Sequence, residues 1–279
     1  MMCATCGCGE AEHERLHAQG IPHEHHHEHA HEHEHAHAGP HPHPEHEHEH
    51  AHAHEHEHEH ARRISLEQDV LAKNDRLAAR NRALFTARNI AAFNLTSSPG
   101  SGKTTLLQAL IKQIGGRFPL AVIEGDQETA RDADRIRETG APVVQINTRT
   151  GCHLDARMVS AAVSALDPPR GSLLLIENVG NLVCPALFDL GERAKAVIFS
   201  VTEGEDKPLK YPHMFRAAGI VVLTKIDLLP HLDFDLDECL ANLRRVNPDA
   251  RIFQTSSKDG TGLAAFSDFM ASQVAMTRA

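Results

Sequence analysis

From residue 90 onward, short apolar runs alternate with amphipathic stretches. Runs of strand length fall at 90–95, 120–124, 143–146, 172–177, 195–201, 220–224 and 251–254, and segments of helical period fall at 127–139, 154–166, 235–246 and 263–276. One further helix follows the first strand and ends at Gly115–Gly116, and Gly140 stops the next. This alternation predicts an α/β fold, a mostly parallel sheet flanked by helices. Upstream, Leu66, Val70, Leu77, Leu84 and Phe85 recur as one face of an amphipathic helix reaching about Arg88. Residues 13–60 break the pattern, with one Ile, one Leu and no aromatic residue. They lack the apolar surface that offsets ordering entropy, so a disordered tail is expected. The division that follows is a cysteine motif at 1–10, a His/Glu tail at 11–60, an N-terminal helix at 61–90 and a nucleotide-binding domain at 91–279.

Charge sharpens that division. The formal net charge is −10, yet residues 1–60 hold thirteen Glu against one Arg, which leaves the remainder slightly positive. No basic stripe suggests nucleic acid, and no apolar run reaches the roughly 18–20 residues needed to span a bilayer. The first twenty residues lack the charged start and apolar core of a secretory signal. The six cysteines are spread too unevenly for a disulfide framework, which favours reduced thiols, a cytoplasmic setting and metal binding.

The tail carries 21 of the 24 histidines, in runs such as "HEHEHEH". Their imidazoles suit Ni²⁺, Zn²⁺ or Cu²⁺ and exceed what solubility requires, so metal binding is preferred to a solubility tail. Ahead of it, Cys3, Cys6 and Cys8 form C-x-x-C-x-C, close enough for three thiols to converge on one ion.

"NLTSSPGSGKTTLL" places a Gly/Ser/Pro loop between a strand and a helix, the context a phosphate-binding loop needs. Backbone N–H groups of Gly100, Ser101, Gly102, Lys103, Thr104 and Thr105 can cradle phosphate oxygens at the helix N-terminus. Lys103 would reach the β- and γ-phosphates, and the Thr104 hydroxyl would ligate Mg²⁺. Position 97 is Ser where the consensus has Gly, which is tolerable if its φ is negative. Glu124 and Asp126 close one strand and Glu177 another, where they can face Mg²⁺ or its waters; Asp126 and Glu177 are the candidates, although Asp126 equally suits a helix cap. Gly180 stands where a backbone amide can sense the γ-phosphate. In "VVLTKIDLLP", Asp227 can accept from guanine N1–H and its exocyclic amine while the Lys225 stem lies along the purine face. Thr224 stands where guanine-binding proteins usually have Asn. Ser256, Ser257 and Lys258 follow a later strand and resemble the last guanine loop, so GTP is favoured over ATP. Lys103, Thr104 and Asp126 are the expected catalytic groups, acting by positioning and charge neutralisation without a covalent intermediate.

Cys152 and His153 follow one strand, and Cys184 follows the next. Two thiolates and an imidazole suit Zn²⁺ or Ni²⁺ but leave a tetrahedral site one ligand short, to be completed by water, a substrate group or a second subunit. Cys239 falls on the apolar face of the 235–246 helix and is expected in the core.

Through "SSPGSGKTTLL", "EGD", "GCHLDA", "IENVGNLVCPA", "EGEDKPLKYP" and "TKIDLL", residues 64–279 resemble the hydrogenase nickel-incorporation GTPases, the HypB-type maturation factors. "CATCGC" resembles the high-affinity nickel motif of some members, although those begin Met-Cys and this chain begins Met-Met-Cys. The resemblance implies a slow GTPase of the signal-recognition/MinD-like class, a GTP-linked homodimer, and a low-affinity metal site at Cys152, His153 and Cys184. It also implies delivery of Ni²⁺ to a hydrogenase large-subunit precursor together with HypA, a small zinc-containing partner. Metal affinity and nucleotide state would then be reciprocally linked through Cys184. Two other readings use the same residues. One is a urease-accessory GTPase, against which "NLVCPA" and "DKPLKYP" argue; the other is a nickel store whose working part is the tail.

Overall fold

The structure is a computed structural model and describes residues 51–126, 131–149 and 151–278. Cys3, Cys6, Cys8 and the tail up to residue 50 lie outside the described residues. Helix α1 spans Ala51–Ala87, followed by β1 (Ala91–Ser97), α2 (Lys103–Ile114), β2 (Leu120–Asp126) and α3 (Arg131–Arg137). Next come β3 (Val143–Asn147), α4 (Ala156–Leu166), β4 (Leu173–Glu177) and β5 (Ala194–Ser200). Short helices α5 (Lys207–Lys210) and α6 (Pro212–Ala217) lead to β6 (Ala218–Thr224), α7 (Leu236–Val246), β7 (Arg251–Gln254) and α8 (Leu263–Arg278).

The sheet has seven strands in the order β3-β2-β4-β1-β5-β6-β7, and every adjacent pair is parallel. β1 and β4 are buried along their whole length because helices cover both faces, which is why they read as continuous apolar runs. Their alternation divides two cores. Phe93, Leu95, Leu173 and Leu175 pack with Leu107 and Leu110 of α2 and Phe266 and Met270 of α8. Ala92, Leu174 and Ile176 point the other way, onto Phe85 of α1 and Val159 and Val163 of α4. Each fully buried side chain of this size contributes about 1.5–3 kcal/mol relative to exposure. A third cluster under β5 and β6 takes in Cys239, whose thiol burial pushes up to about 12. Cys239 is core, as its helical spacing requires.

α1 departs from expectation at both its start and its face. The helix begins at Ala51, within the His/Glu tract, where interleaved Ala and Glu are good helix formers. Val70 and Leu84 are exposed, and the buried stripe is Asn74, Ala78, Asn81 and Phe85. The asparagines are satisfied by backbone, not by apolar packing. Asn74 Oδ1 accepts from Ala156 N (2.9 Å) and its Nδ2 donates to Asp189 O (2.7 Å). Asn81 Nδ2 donates to Ala156 O (2.8 Å) and Leu190 O (3.0 Å). α1 therefore clamps the start of α4 to the 189–190 turn. The fit is close at Gly191, where φ is +91° and a Cβ would lie 2.6 Å from both Ala78 O and Asn81 Cβ. Gly191→Ala is expected to destabilise the fold by about 2–4 kcal/mol, from backbone strain plus overpacking. Urea denaturation with unchanged m-value checks this.

The helix expected at 127–139 is observed as Arg131–Arg137, with 127–130 outside the described residues. α5 and α6 carry no helical period of useful length. Pro208 and Pro212 sit in their first turns, where the missing N–H costs nothing.

Candidate nucleotide and metal site

Parallel register brings the carboxyl ends of β1, β2, β3, β4 and β6 to one edge, the usual ligand crevice of open α/β sheets. At the end of β1, Ser97 lies within the strand and is not among the positive-φ residues, so the departure from glycine there is accommodated. The loop then turns through Gly100 (φ +76°) and Gly102 (φ +90°), the second acting as N-cap of α2. The N–H groups of the first helical turn have no intrahelical partner and can serve an anion.

Lys103 and Thr104 converge on Glu177. Lys103 Nζ lies 3.0 Å from Glu177 Oε1 and donates to Asn178 O at 2.6 Å, while Thr104 Oγ1 donates to Glu177 Oε1 at 2.7 Å. Glu177 is 1% exposed, and among the described residues its Oε2 has no hydrogen-bond partner; nor do Oε2 of Glu124 and Ser101 Oγ. Glu124 and Glu177 are register partners on β2 and β4, and Asp126 follows two residues on. Burial, with Glu177 and Asp126 close by, pushes Glu124 up to about 8. A buried acidic group with unsatisfied oxygens beside the Thr104 hydroxyl is the donor set a hard divalent cation takes. The residues present thus fit Mg²⁺, with Glu124 beside Glu177 across the two strands. Thr105 differs from the rest of the loop. Its hydroxyl accepts from Arg135 at 3.0 Å, which ties it to α3 while its O–H and backbone N–H both remain as donors.

The base-side residues meet the phosphate loop from above. Thr224 Oγ1 donates to Ser101 O at 2.6 Å, so the hydroxyl makes a strap between the two loops. Lys225, at φ +60°, arches over the loop and donates to Gly100 O at 2.8 Å. Asp227 Oδ1 accepts from Ser256 Oγ at 2.7 Å, and Lys258 Nζ stands 3.9 Å from its Oδ2. Ser256, not Ser257, orients the carboxylate; its Oγ also accepts from Lys258 N at 3.2 Å. Ser257 sits in the same turn, its hydroxyl making no hydrogen bond among the described residues.

The sulfur site is one loop away. Cys152 follows β3, and Cys184 opens a short 3₁₀ turn, Cys184–Ala186, after β4. Their Sγ atoms are 3.0 Å apart with no disulfide between them, and His153 Nδ1 is 3.6 Å from Cys152 Sγ. All three donor atoms lie within 4.8 Å of one another. Two thiolates on one tetrahedral ion with 2.3 Å bonds lie about 3.8 Å apart, so metal capture needs the loops to part by less than about 1 Å. Burial holds the His153 imidazole below its usual pKa, against the opposing pull of Asp155, which leaves its lone pair available at neutral pH. The ring stacks on Phe188 at 3.9 Å between centroids. Asn181 joins the loops, donating to Cys152 O (3.4 Å) and accepting from Val183 N (2.7 Å). Gly180 lies against the phosphate loop, since a Cβ there would sit 3.3 Å from Pro99 Cγ.

Among the described residues, no helix is long and apolar enough to cross a membrane. The nucleotide-binding domain model of the CobW/HypB/UreG family matches residues 91–254, which take in all seven strands and both loops of the sulfur site. Over 203 residues the chain is 62% identical to the hydrogenase maturation factor HypB of Azotobacter vinelandii, covering 73% of this chain and 67% of that protein. The crystal structure of HypB from Archaeoglobus fulgidus superposes with a TM-score of 0.68 at 37% identity, over 73% of this chain and 99% of that one. The structure of Helicobacter pylori HypB in complex with nickel superposes with a TM-score of 0.69 at 40% identity, over 73% and 96% of the two chains. The chain thus belongs to the CobW/HypB/UreG family and, within it, to the HypB-type hydrogenase maturation GTPases.

Proposed function

We propose that this chain is a cytoplasmic nickel metallochaperone that hydrolyses GTP slowly and helps insert Ni²⁺ into a hydrogenase large-subunit precursor. The observation that carries the reading is the position of Cys184 on the loop that begins at Glu177 and passes Gly180, so the metal donors and the phosphate-facing groups share one segment. Thr104, Asp126 and Glu177 hold Mg²⁺; Lys103 and the amides of residues 100–105 hold the phosphates; Lys225, Asp227, Ser257 and Lys258 hold guanine. Cys152, His153 and Cys184 take Ni²⁺ or Zn²⁺, with the remaining position left for a second copy, a HypA-type partner or water. The nickel-bound HypB of Helicobacter pylori supports nickel as the cargo. The cysteine motif and tail serve as an upstream nickel reservoir.

The test is site-resolved, so that the tail does not obscure it. In the full chain, protection of Cys184 from alkylation is followed by mass spectrometry across a series of buffered Ni²⁺ concentrations, with GDP and with a non-hydrolysable GTP analogue. The midpoint is expected to move with the nucleotide; a single midpoint in both states would overturn the reading. Chains lacking residues 13–60 are expected still to mature hydrogenase when nickel is plentiful, whereas loss of metal tolerance alone would point to a store. Nickel appearing in urease in place of hydrogenase would point to the urease-accessory reading.

Base selection has its own expected outcome. An Asp227→Asn amide cannot accept from two guanine donors at once, so GTP affinity should fall by about 10²-fold, the worth of a lost bidentate pair. Xanthine, which offers an acceptor where guanine has its exocyclic amine, should bind the variant better than the wild type. Competition with a fluorescent nucleotide measures both.

A further inference from the structure

We propose that Asn178 is the positioning residue that couples the nucleotide to the metal site. This rests on the nucleotide-gated reading above and names the residue through which the gating passes.

Asn178 is 1% exposed, and every one of its polar atoms is used. Its N–H donates to Leu95 O at 2.9 Å, and its Nδ2 donates to Asn94 Oδ1 at 3.1 Å, which fixes it to β1. Its carbonyl oxygen accepts from Lys103 Nζ at 2.6 Å. Its Oδ1 accepts from two amides at 3.0 Å, Leu154 N and Val179 N. One residue thus touches three parts: the phosphate-binding lysine, the loop just beyond Cys152 and His153, and the loop that leads to Cys184. Leu154 is fully buried and packs onto the end of β2, where a Cβ on Gly125 would lie 2.8 Å from its side chain. The buried end of the 152–154 loop is thus held at Leu154 by its hydrogen bond to Asn178, while Asn181 holds the loop's start at Cys152 O.

Chemistry explains why an asparagine stands here. A side-chain amide offers an acceptor for two N–H groups and, on a separate atom, a donor for Asn94, all without charge; a hydroxyl would have to serve all three partners from one atom. An aspartate would lose the donor and add a buried charge next to Glu177. When a nucleoside triphosphate occupies the loop, its β- and γ-phosphates draw the Lys103 ammonium toward themselves. The Asn178 carbonyl then loses its charged partner, and the 178–179 peptide is released to rotate. Because Val179 N and Leu154 N share Oδ1, that rotation changes the spacing of the two metal-bearing loops. Nickel acts in reverse: by holding Cys152 and Cys184 it fixes the same two amides, and so biases where Lys103 rests.

Two measurements on the full-length, reduced chain test the assignment. The first is the alkylation rate of Cys184 without metal, with GDP and with a non-hydrolysable GTP analogue. Wild type should show a ratio between states in the range of about 5–150-fold usual for coupled sites, and Asn178→Ala should bring it within about twofold of unity. Fluorescent GDP affinity of the variant should stay within about threefold of wild type, because Asn178 is not a phosphate ligand in this assignment. A variant that keeps the wild-type ratio would overturn the proposal. The second measurement needs no variant, and so decides even if Asn178→Ala does not fold. Amide exchange at Leu154 and Val179 in wild type should rise by about tenfold or more with the GTP analogue, as their common acceptor turns away. Cys184 reactivity that changes with nucleotide while exchange at Leu154 stays constant would leave the gating intact but remove Asn178 from it. A wild-type Cys184 that ignores the nucleotide would overturn the gating and this assignment together.

Discussion

Replacing Lys103 with alanine is expected to lower hydrolysis by about 10²–10³-fold, the usual cost of removing one preorganised charge-stabilising donor. It should also destabilise the nucleotide-free fold by about 3–5 kcal/mol, as breaking a buried ion pair typically does. The second effect is not an obvious property of a phosphate-loop lysine, and it follows from the surroundings of Glu177. That carboxylate is 1% exposed, Lys103 is 11% exposed, and the two stand 3.0 Å apart. Among the described residues, Glu177 Oε1 without the ammonium keeps only the Thr104 hydroxyl, and Oε2 has no hydrogen-bond partner from the start. Glu124, its register neighbour, adds a second carboxyl. Removing both charges separates the two effects. Lys103→Met combined with Glu177→Gln should recover stability to within about 1 kcal/mol of wild type, because a buried pair often breaks even against neutral side chains of similar volume. Hydrolysis should remain lost. Urea denaturation and phosphate release read the two quantities independently. A Lys103→Ala chain as stable as wild type would mean that the Lys103–Glu177 pair does not hold the fold.

The strands of this fold were legible because helices bury both faces. All seven sit within a few residues of the apolar runs, and the carboxyl-edge position of Lys103, Asp126, Glu177 and Asp227 follows from parallel connection alone. The thiol–imidazole group was legible too, since Cys152 and Cys184 follow strands that end at the same edge. What the pattern could not give was the polar scaffolding. Asn74 and Asn81 occupy the buried stripe of α1, where an apolar period expects Leu or Val, and they are stable there because loop backbone supplies their partners. Asn178 lies between two residues that attract notice, Glu177 and Gly180, and four of its five hydrogen bonds reach three segments distant in sequence. The motif gives the turn at Ser256 and Ser257 but not which hydroxyl faces the Asp227 carboxylate, and that is Ser256. The exposed Leu84 is the same lesson in reverse: on a helix held by two asparagines and a phenylalanine, an apolar residue can face solvent.

Cys184→Ser should lower nickel affinity at the Cys152–His153 site by at least about 10²-fold, since losing even an outer-shell partner of a metal ligand costs about 10–100-fold. Serine keeps the volume and can still accept a hydrogen bond, so the nearly buried position should tolerate it and metal-free GTP hydrolysis should fall by less than about threefold. The readout is protection of Cys152 from alkylation across buffered Ni²⁺, which reports this site while the tail is present. Three donors within 4.8 Å of each other become two, a thiol and the adjacent imidazole, and adjacent residues span an ion poorly without a third anchor. The loss should also be reciprocal. In wild type, saturating Ni²⁺ must shift affinity for the GTP analogue by the same factor by which the analogue shifts affinity for Ni²⁺. In Cys184→Ser both shifts should vanish together, because the segment from Glu177 to Cys184 then ends without a metal bond. Hydrolysis that collapses in the metal-free variant would place Cys184 in the nucleotide machinery itself. Nickel binding retained at wild-type strength would show that Cys152 and His153 recruit their other donors elsewhere, and the 3.0 Å approach of the two sulfurs would then be packing alone.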